Sequence, residues 1–215
     1  MTRQTLLFWF AAILSVLVAL ATLRFIPLGM ETAFPMLRAN PNAGKYVFLA
    51  HILASSVALA IAFPQFLPAW RAARPALHRY VGRLYVLSIA IGGVSGGMLA
   101  ISAMGDRPVA GAGFGLLAVL WLGVTGRAMV LARARRISDH RRWMIRSFAL
   151  TFAAVTLRLE LPVLMGLLGM DYPAASNIVG WMSWVPNLIV AELILRRRRA
   201  PGAAGQGAAL GQAGS

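Results

Sequence analysis

Residues 133–168 read RARRISDHRRWMIRSFALTFAAVTLRLELPVLMGLL. Six arginines fall in the first fourteen positions, and the run from Trp143 to Leu168 then carries only Arg146, Arg158 and Glu160 as charges. At 1.5 Å per residue a helix over that run is about 39 Å long, more than the roughly 30 Å of a bilayer's hydrocarbon core. Five more apolar segments flank it: Thr5–Pro27, Tyr46–Trp70, Tyr80–Ala103, Gly111–Ala132 and Ser176–Leu195. None alternates polar and apolar residues as a barrel strand does. A helix satisfies its own backbone in lipid, so the pattern predicts an all-α protein with six transmembrane helices.

Composition agrees. Of 215 residues, 59% are hydrophobic and 13% charged, against about 45–50% and about 25% in soluble domains. There is no cysteine, which excludes disulfides, thiolate nucleophiles and cysteine-held metal centres. The 21 basic and 6 acidic residues give a net charge of +15. Their placement is asymmetric. Arg71, Arg74, Arg79 and Arg83 lie between the second and third segments; Arg127 to Arg146 surround the fourth connection; Arg196 to Arg199 follow the sixth segment. The alternate connections hold Arg38, Lys45 and Arg107. The positive-inside rule then places both termini and the arginine-rich connections in the cytoplasm of a bacterial inner membrane. The basic patches read as topology signals and contacts for membrane lipids rather than nucleic acid, because no groove-reading motif accompanies them.

Residues 1–199 are expected to form one membrane domain, with the first segment kept as an anchor rather than cleaved as a signal peptide. Residues 200–215, APGAAGQGAALGQAGS, are expected to form a disordered cytoplasmic tail. Gly92, Gly93, Gly96 and Gly97 place two overlapping small-xxx-small patterns in the third segment, a sign of close helix packing. Pro64, Pro162 and Pro186 interrupt the second, fifth and sixth helical ladders.

Ionisable groups at membrane depth are costly and are functional candidates. Counting along the helices puts His51, Arg158 and Glu160 at similar depth toward the outer face, a candidate ligand- or proton-binding site if the second and fifth helices are neighbours. A second polar layer near the cytoplasm holds Gln65, His78, Arg79, Arg83, His140, Arg142, Arg146 and Glu192. Glu192 is level with Arg146 and is expected to bridge to Arg146 or Arg142. His78 and His140 stand just before inward-starting helices, and as a pair could ligate haem b. Ser138-Asp139 looks like a helix N-cap. No hydrolase elbow, P-loop, dinucleotide turn or zinc helix is present.

Ala76-Leu77-His78-Arg79-Tyr80-Val81-Gly82-Arg83-Leu84-Tyr85-Val86 and His140-Arg141-Arg142-Trp143-Met144-Ile145-Arg146-Ser147-Phe148-Ala149-Leu150 open the third and fifth segments. Together with Thr156-Leu157-Arg158 they resemble a bacterial multi-pass membrane-protein family catalogued as a domain of unknown function. The resemblance runs from about His51 to about Glu192. It implies this layout and brings no catalytic residues. Three functional readings stand at this stage. One is binding or transport of a small ligand or proton, as in a transporter or proton-coupled permease, through a site at His51, Arg158 and Glu160. Another is a redox protein holding haem b at His78 and His140, or quinone near His51. The third is an accessory scaffold subunit.

Overall fold

The computed structural model describes residues 3–29 and 44–197. Arg38, Arg198, Arg199 and the expected tail at 200–215 lie outside the described residues. Six helices are long and apolar enough to cross a membrane: Thr5–Thr22, Lys45–Phe66, Pro75–Ala103, Pro108–Arg133, Ile137–Leu167 and Tyr172–Arg197. Among the described residues there is no strand. The chain is an all-helical integral membrane protein.

Several helices start or stop away from the apolar limits, for local reasons. The third, fourth and sixth begin at Pro75, Pro108 and Tyr172-Pro173, where a missing N–H costs nothing in the first turn. They therefore start three to five residues before the apolar segments do. The second ends in a 3-10 turn, Phe63–Phe66, with Pro64 as its second residue, and Pro68–Ala73 is a separate short helix. The fifth starts at Ile137. His78 and His140 consequently sit in the opening turns of helices, not in connecting loops. Asp139 is not the cap: Arg136 holds that position, and Asp139 in the first turn accepts from Arg136 Nε and Nη2 at 3.0 and 2.6 Å. The true side-chain cap is Asp171, accepting from the Ala174 N–H at 2.8 Å.

The bundle sets buried hydroxyl side chains among a mainly apolar core and turns a greasy surface outward. Ser15, Ser147 and Ser183 are fully buried, whereas Val119, Ile101 and Leu167 are 67%, 72% and 79% exposed. Such a surface suits lipid, where apolar burial between helices brings little gain and small and hydroxyl side chains hold the interfaces. Consecutive helices from the second to the fifth pack against each other; the sixth lies along the fourth and fifth, and the first against the second and the later part of the fifth. At the core, Tyr85 Oη meets Ser147 Oγ at 3.0 Å and Thr151 Oγ1 at 2.8 Å. Thr125 Oγ1 reaches Ser147 Oγ at 2.7 Å, and Trp121 Nε1 donates to Thr151 Oγ1 at 2.9 Å. This network ties the third, fourth and fifth helices together. Fourth and sixth approach backbone to backbone: a Cβ on Gly113 would stand 2.5 Å from the Gly180 carbonyl oxygen.

Candidate intramembrane polar sites

Glycine decides where His51 goes. A Cβ on Gly96 would stand 2.9 Å from both Cε1 and Nδ1 of the imidazole, so the ring occupies the notch that this glycine leaves in the third helix. Nδ1 lies 2.8 Å from the Gly92 carbonyl oxygen. A carbonyl only accepts, so Nδ1 carries the proton and donates; in the neutral ring Nε2 keeps its lone pair. Ser95 Oγ donates to Ile91 O at 2.6 Å and to the same Gly92 oxygen at 3.3 Å. Ser55, one turn along from His51, has a buried hydroxyl without a partner. The glycine run is thus both a packing surface and the seat of a histidine, a role that spacing alone did not reveal.

Arg158 and Glu160 do not share a face. Residues two apart on a helix point about 200° apart. Val155, on the Arg158 side, packs with Val18, Ala19 and Leu59 of the first and second helices. Arg158 Nη1 donates to Ala154 O at 2.9 Å, one turn back along the helix. It lies within electrostatic range of His51 and Arg24. Glu160 belongs to the opposite face. Thr156, one turn earlier, meets Asn187 of the sixth helix: Asn187 Nδ2 donates to Thr156 Oγ1 at 2.9 Å and to Ser183 O at 2.9 Å. The two helices run antiparallel, so one turn outward from Thr156 and Asn187 brings Glu160 level with Ser183. Both carry a buried oxygen without a partner, Glu160 Oε2 and Ser183 Oγ. Among the described residues no hydrogen bond or ion pair joins His51, Arg158 and Glu160. Arg158 stands in His51's sector and Glu160 at the fifth–sixth interface.

Both helices at that interface are irregular beside Glu160. Pro162 is followed by a π-turn, Val163–Leu167, in which Leu168 N–H reaches back to Val163 O at 3.1 Å. The sixth helix breaks at Ser183-Trp184, between Tyr172–Met182 and Val185–Arg197, with Pro186 in the first turn after the break. π-turns and interrupted spans free backbone groups and recur where membrane proteins bind ions or substrates.

The arginine-rich end holds the second polar layer. Arg146 Nε and Nη2 grip Glu192 Oε1 and Oε2 at 2.5 and 3.0 Å, a two-pronged bridge. Arg142 reaches Asp139 instead, at 3.9 Å. Arg79 and Arg83 are exposed. His140 Nδ1 lies 2.9 Å from Ala128 O and so donates to it, leaving Nε2 free. His78 Nδ1 is buried without a partner, and the Trp70 ring meets the imidazole edge-on at 6.2 Å. The two histidines are within electrostatic range of each other. Gln65, 6% exposed, has no partner for either amide atom. Arg71, on the short helix outside the spans, donates from Nη1 to Gln65 O at 3.1 Å; burial first, then the Arg141 charge, lowers its guanidinium pKa.

The chain belongs to the family described as predicted membrane protein DUF2306, whose model matches residues 48–195. Neither the curated proteins nor the solved structures compared with the chain include a match. The matched region takes in nearly all of the second to sixth helices and with them His51, Gln65, His78, His140, Arg146, Arg158, Glu160 and Glu192.

Proposed function

We propose that this DUF2306 chain binds a proton or small cation inside the membrane, at a site centred on Glu160 between its last two helices. The observation that carries the reading is the buried, unpartnered Oε2 of Glu160 inside a span. A bare carboxylate there is costly, and a bound proton or cation is the simplest remedy. Thr156, Ser183 and Asn187 supply hard oxygen atoms on the same face, the donor type that protons and small cations prefer. The irregular backbone on both sides supports the same reading.

Residues 1–199 act as one six-helix domain in this proposal, with the arginine-rich end in the cytoplasm of a bacterial inner membrane. Glu160 stands seven residues before the end of its helix at Leu167, about 10 Å, and therefore in the outer half of the bilayer. His51 and Arg158 lie in the same half on the other side of the fifth helix. They are not ligands of the cation.

The test is thermal unfolding of the purified protein in detergent across a titration of sodium and of pH, with Glu160→Gln and an Asp139→Asn control. Cation- or pH-dependent stabilisation should vanish in Glu160→Gln and persist in Asp139→Asn. Identical profiles for wild type and Glu160→Gln would remove the basis for the proposal.

A further inference from the structure

The arginine-rich end contains a second set of unsatisfied polar atoms that the Glu160 reading does not use. Gln65 is 6% exposed, and neither its Nε2 nor its Oε1 has a partner. An amide buried in that way has lost its water on both sides, which native proteins rarely tolerate without a bridging molecule. Its surroundings explain where such a molecule would sit. Oε1 lies 3.8 Å from the place a Cβ would occupy on Gly82, so the wall beside it is bare backbone. His78 is one turn before Gly82 on the same helix face, and its Nδ1 is also buried and unpartnered. Three orphan polar atoms on two neighbouring elements therefore converge, closed on one side by the edge-on Trp70 ring.

Charge indicates what would fill the space. Arg71 is pinned over the cluster by its bond to Gln65 O at 3.1 Å. Arg71 and Arg79 are within electrostatic range of His78, and Arg141 is within range of Arg71. No acid offsets them among the described residues: Asp139 pairs with Arg136 and Arg142, and Glu192 with Arg146. A cation is excluded by this field. A neutral ligand would leave three guanidinium groups unused. An oxyanion accepts from Gln65 Nε2, from the imidazole and from arginine forks. An attached hydroxyl or acidic proton satisfies Gln65 Oε1.

We infer that the arginine-rich end binds a phosphate-type oxyanion carrying an O–H, with Gln65 and His78 as its buried hydrogen-bonding floor and Arg71, Arg79 and Arg141 as its cationic rim. The same chemistry is offered by free phosphate and by the headgroup of an anionic phospholipid.

The experiment uses the full chain in nanodiscs. One arm titrates inorganic phosphate into nanodiscs of phosphatidylcholine, at constant ionic strength, and reads the melting temperature. The other adds a minority of phosphatidylglycerol and reads both the melting temperature and the lipid retained in native mass spectrometry. Stabilisation in the first arm assigns the site to free phosphate, and in the second alone to a lipid headgroup; either supports the inference. Gln65→Leu and Arg71→Gln should lose most of the shift, and Arg133→Gln, which removes the same charge from an exposed position, should keep it. Ligand-free Gln65→Leu should melt no lower than wild type, which separates loss of binding from loss of fold. The inference is overturned if neither probe stabilises the protein, or if Arg133→Gln loses as much as Arg71→Gln. A Soret band abolished by His78→Ala would also overturn it, since haem would then be the occupant.

Discussion

Replacing Gly96 with alanine tests whether the third helix is shaped around His51. The added methyl would stand 2.9 Å from Cε1 and from Nδ1 of the imidazole. Ordinary carbon contacts are about 3.5–4.0 Å, so the ring or the helix must give by roughly 0.6 Å or more. The ring cannot retreat without leaving Gly92 O, to which Nδ1 donates at 2.8 Å. Overpacking of this kind costs about 1–3 kcal/mol, and the lost hydrogen bond about 0.5–1.5 kcal/mol. Alanine's better helix propensity returns about 1 kcal/mol. The net expectation is a loss of about 1–3 kcal/mol, measured by unfolding in mixed micelles with increasing SDS. Gly97→Ala is the internal control, because its Cβ would find its nearest neighbour, Ala118 Cβ, at a comfortable 3.8 Å. It should be neutral or slightly stabilising. The double variant His51→Ala with Gly96→Ala should recover the overpacking part, since the small side chain vacates the notch. Equal stability of Gly96→Ala and Gly97→Ala would refute the idea that the glycine is there for the histidine.

Thr151→Val removes the hydroxyl shared by Tyr85 and Trp121; with the buried indole N–H left unpaired, unfolding should show a loss of about 2–3 kcal/mol. Arg146→Gln breaks the two-pronged bridge to Glu192, whose partners are only 20% and 37% exposed; a loss of about 1–2 kcal/mol is expected by the same assay, with partial recovery in the swap Arg146→Glu, Glu192→Arg. The absence of cysteine makes topology directly readable: in intact cells, Gly105→Cys should react with a membrane-impermeant maleimide and Ser138→Cys should not, and the reverse pattern would invert the orientation.

The six helices were legible because lipid imposes a simple demand, about twenty apolar residues in a row, and the chain meets it six times. Their ends were less legible. Proline starts the third, fourth and sixth helices before the apolar residues begin, and polar first turns continue into the interface. A bridge from Glu192 was readable from depth, which left Arg146 and Arg142 as candidates; the structure selects Arg146, while Arg142 reaches Asp139. The grouping of His51, Arg158 and Glu160 was readable only as a shared depth. Rotation about the fifth helix separates Arg158 from Glu160, and the polar residues on the Glu160 face, Thr156, Ser183 and Asn187, are ordinary ones that no motif marks. Gln65 gave little warning either: one amide beside Pro64 in an apolar run acquires meaning only when both of its atoms prove to be buried and unanswered. The hydroxyl network left a fainter trace, Ser147 and Thr151 one turn apart in an otherwise greasy stretch.

The breaks at Ser183-Trp184 and after Pro162 have a mechanical consequence. Each of the last two helices is a jointed limb, not a single lever. Arg146 and Glu192 clasp the arginine-rich limbs, and Glu160 stands on that same limb of the fifth helix, two residues before Pro162, while the joint of the sixth falls at Ser183-Trp184. Because the joints lie between the clasp and the far ends of both helices, the segments beyond them can tilt while the clasp stays shut, so motion at one membrane face need not be transmitted to the other.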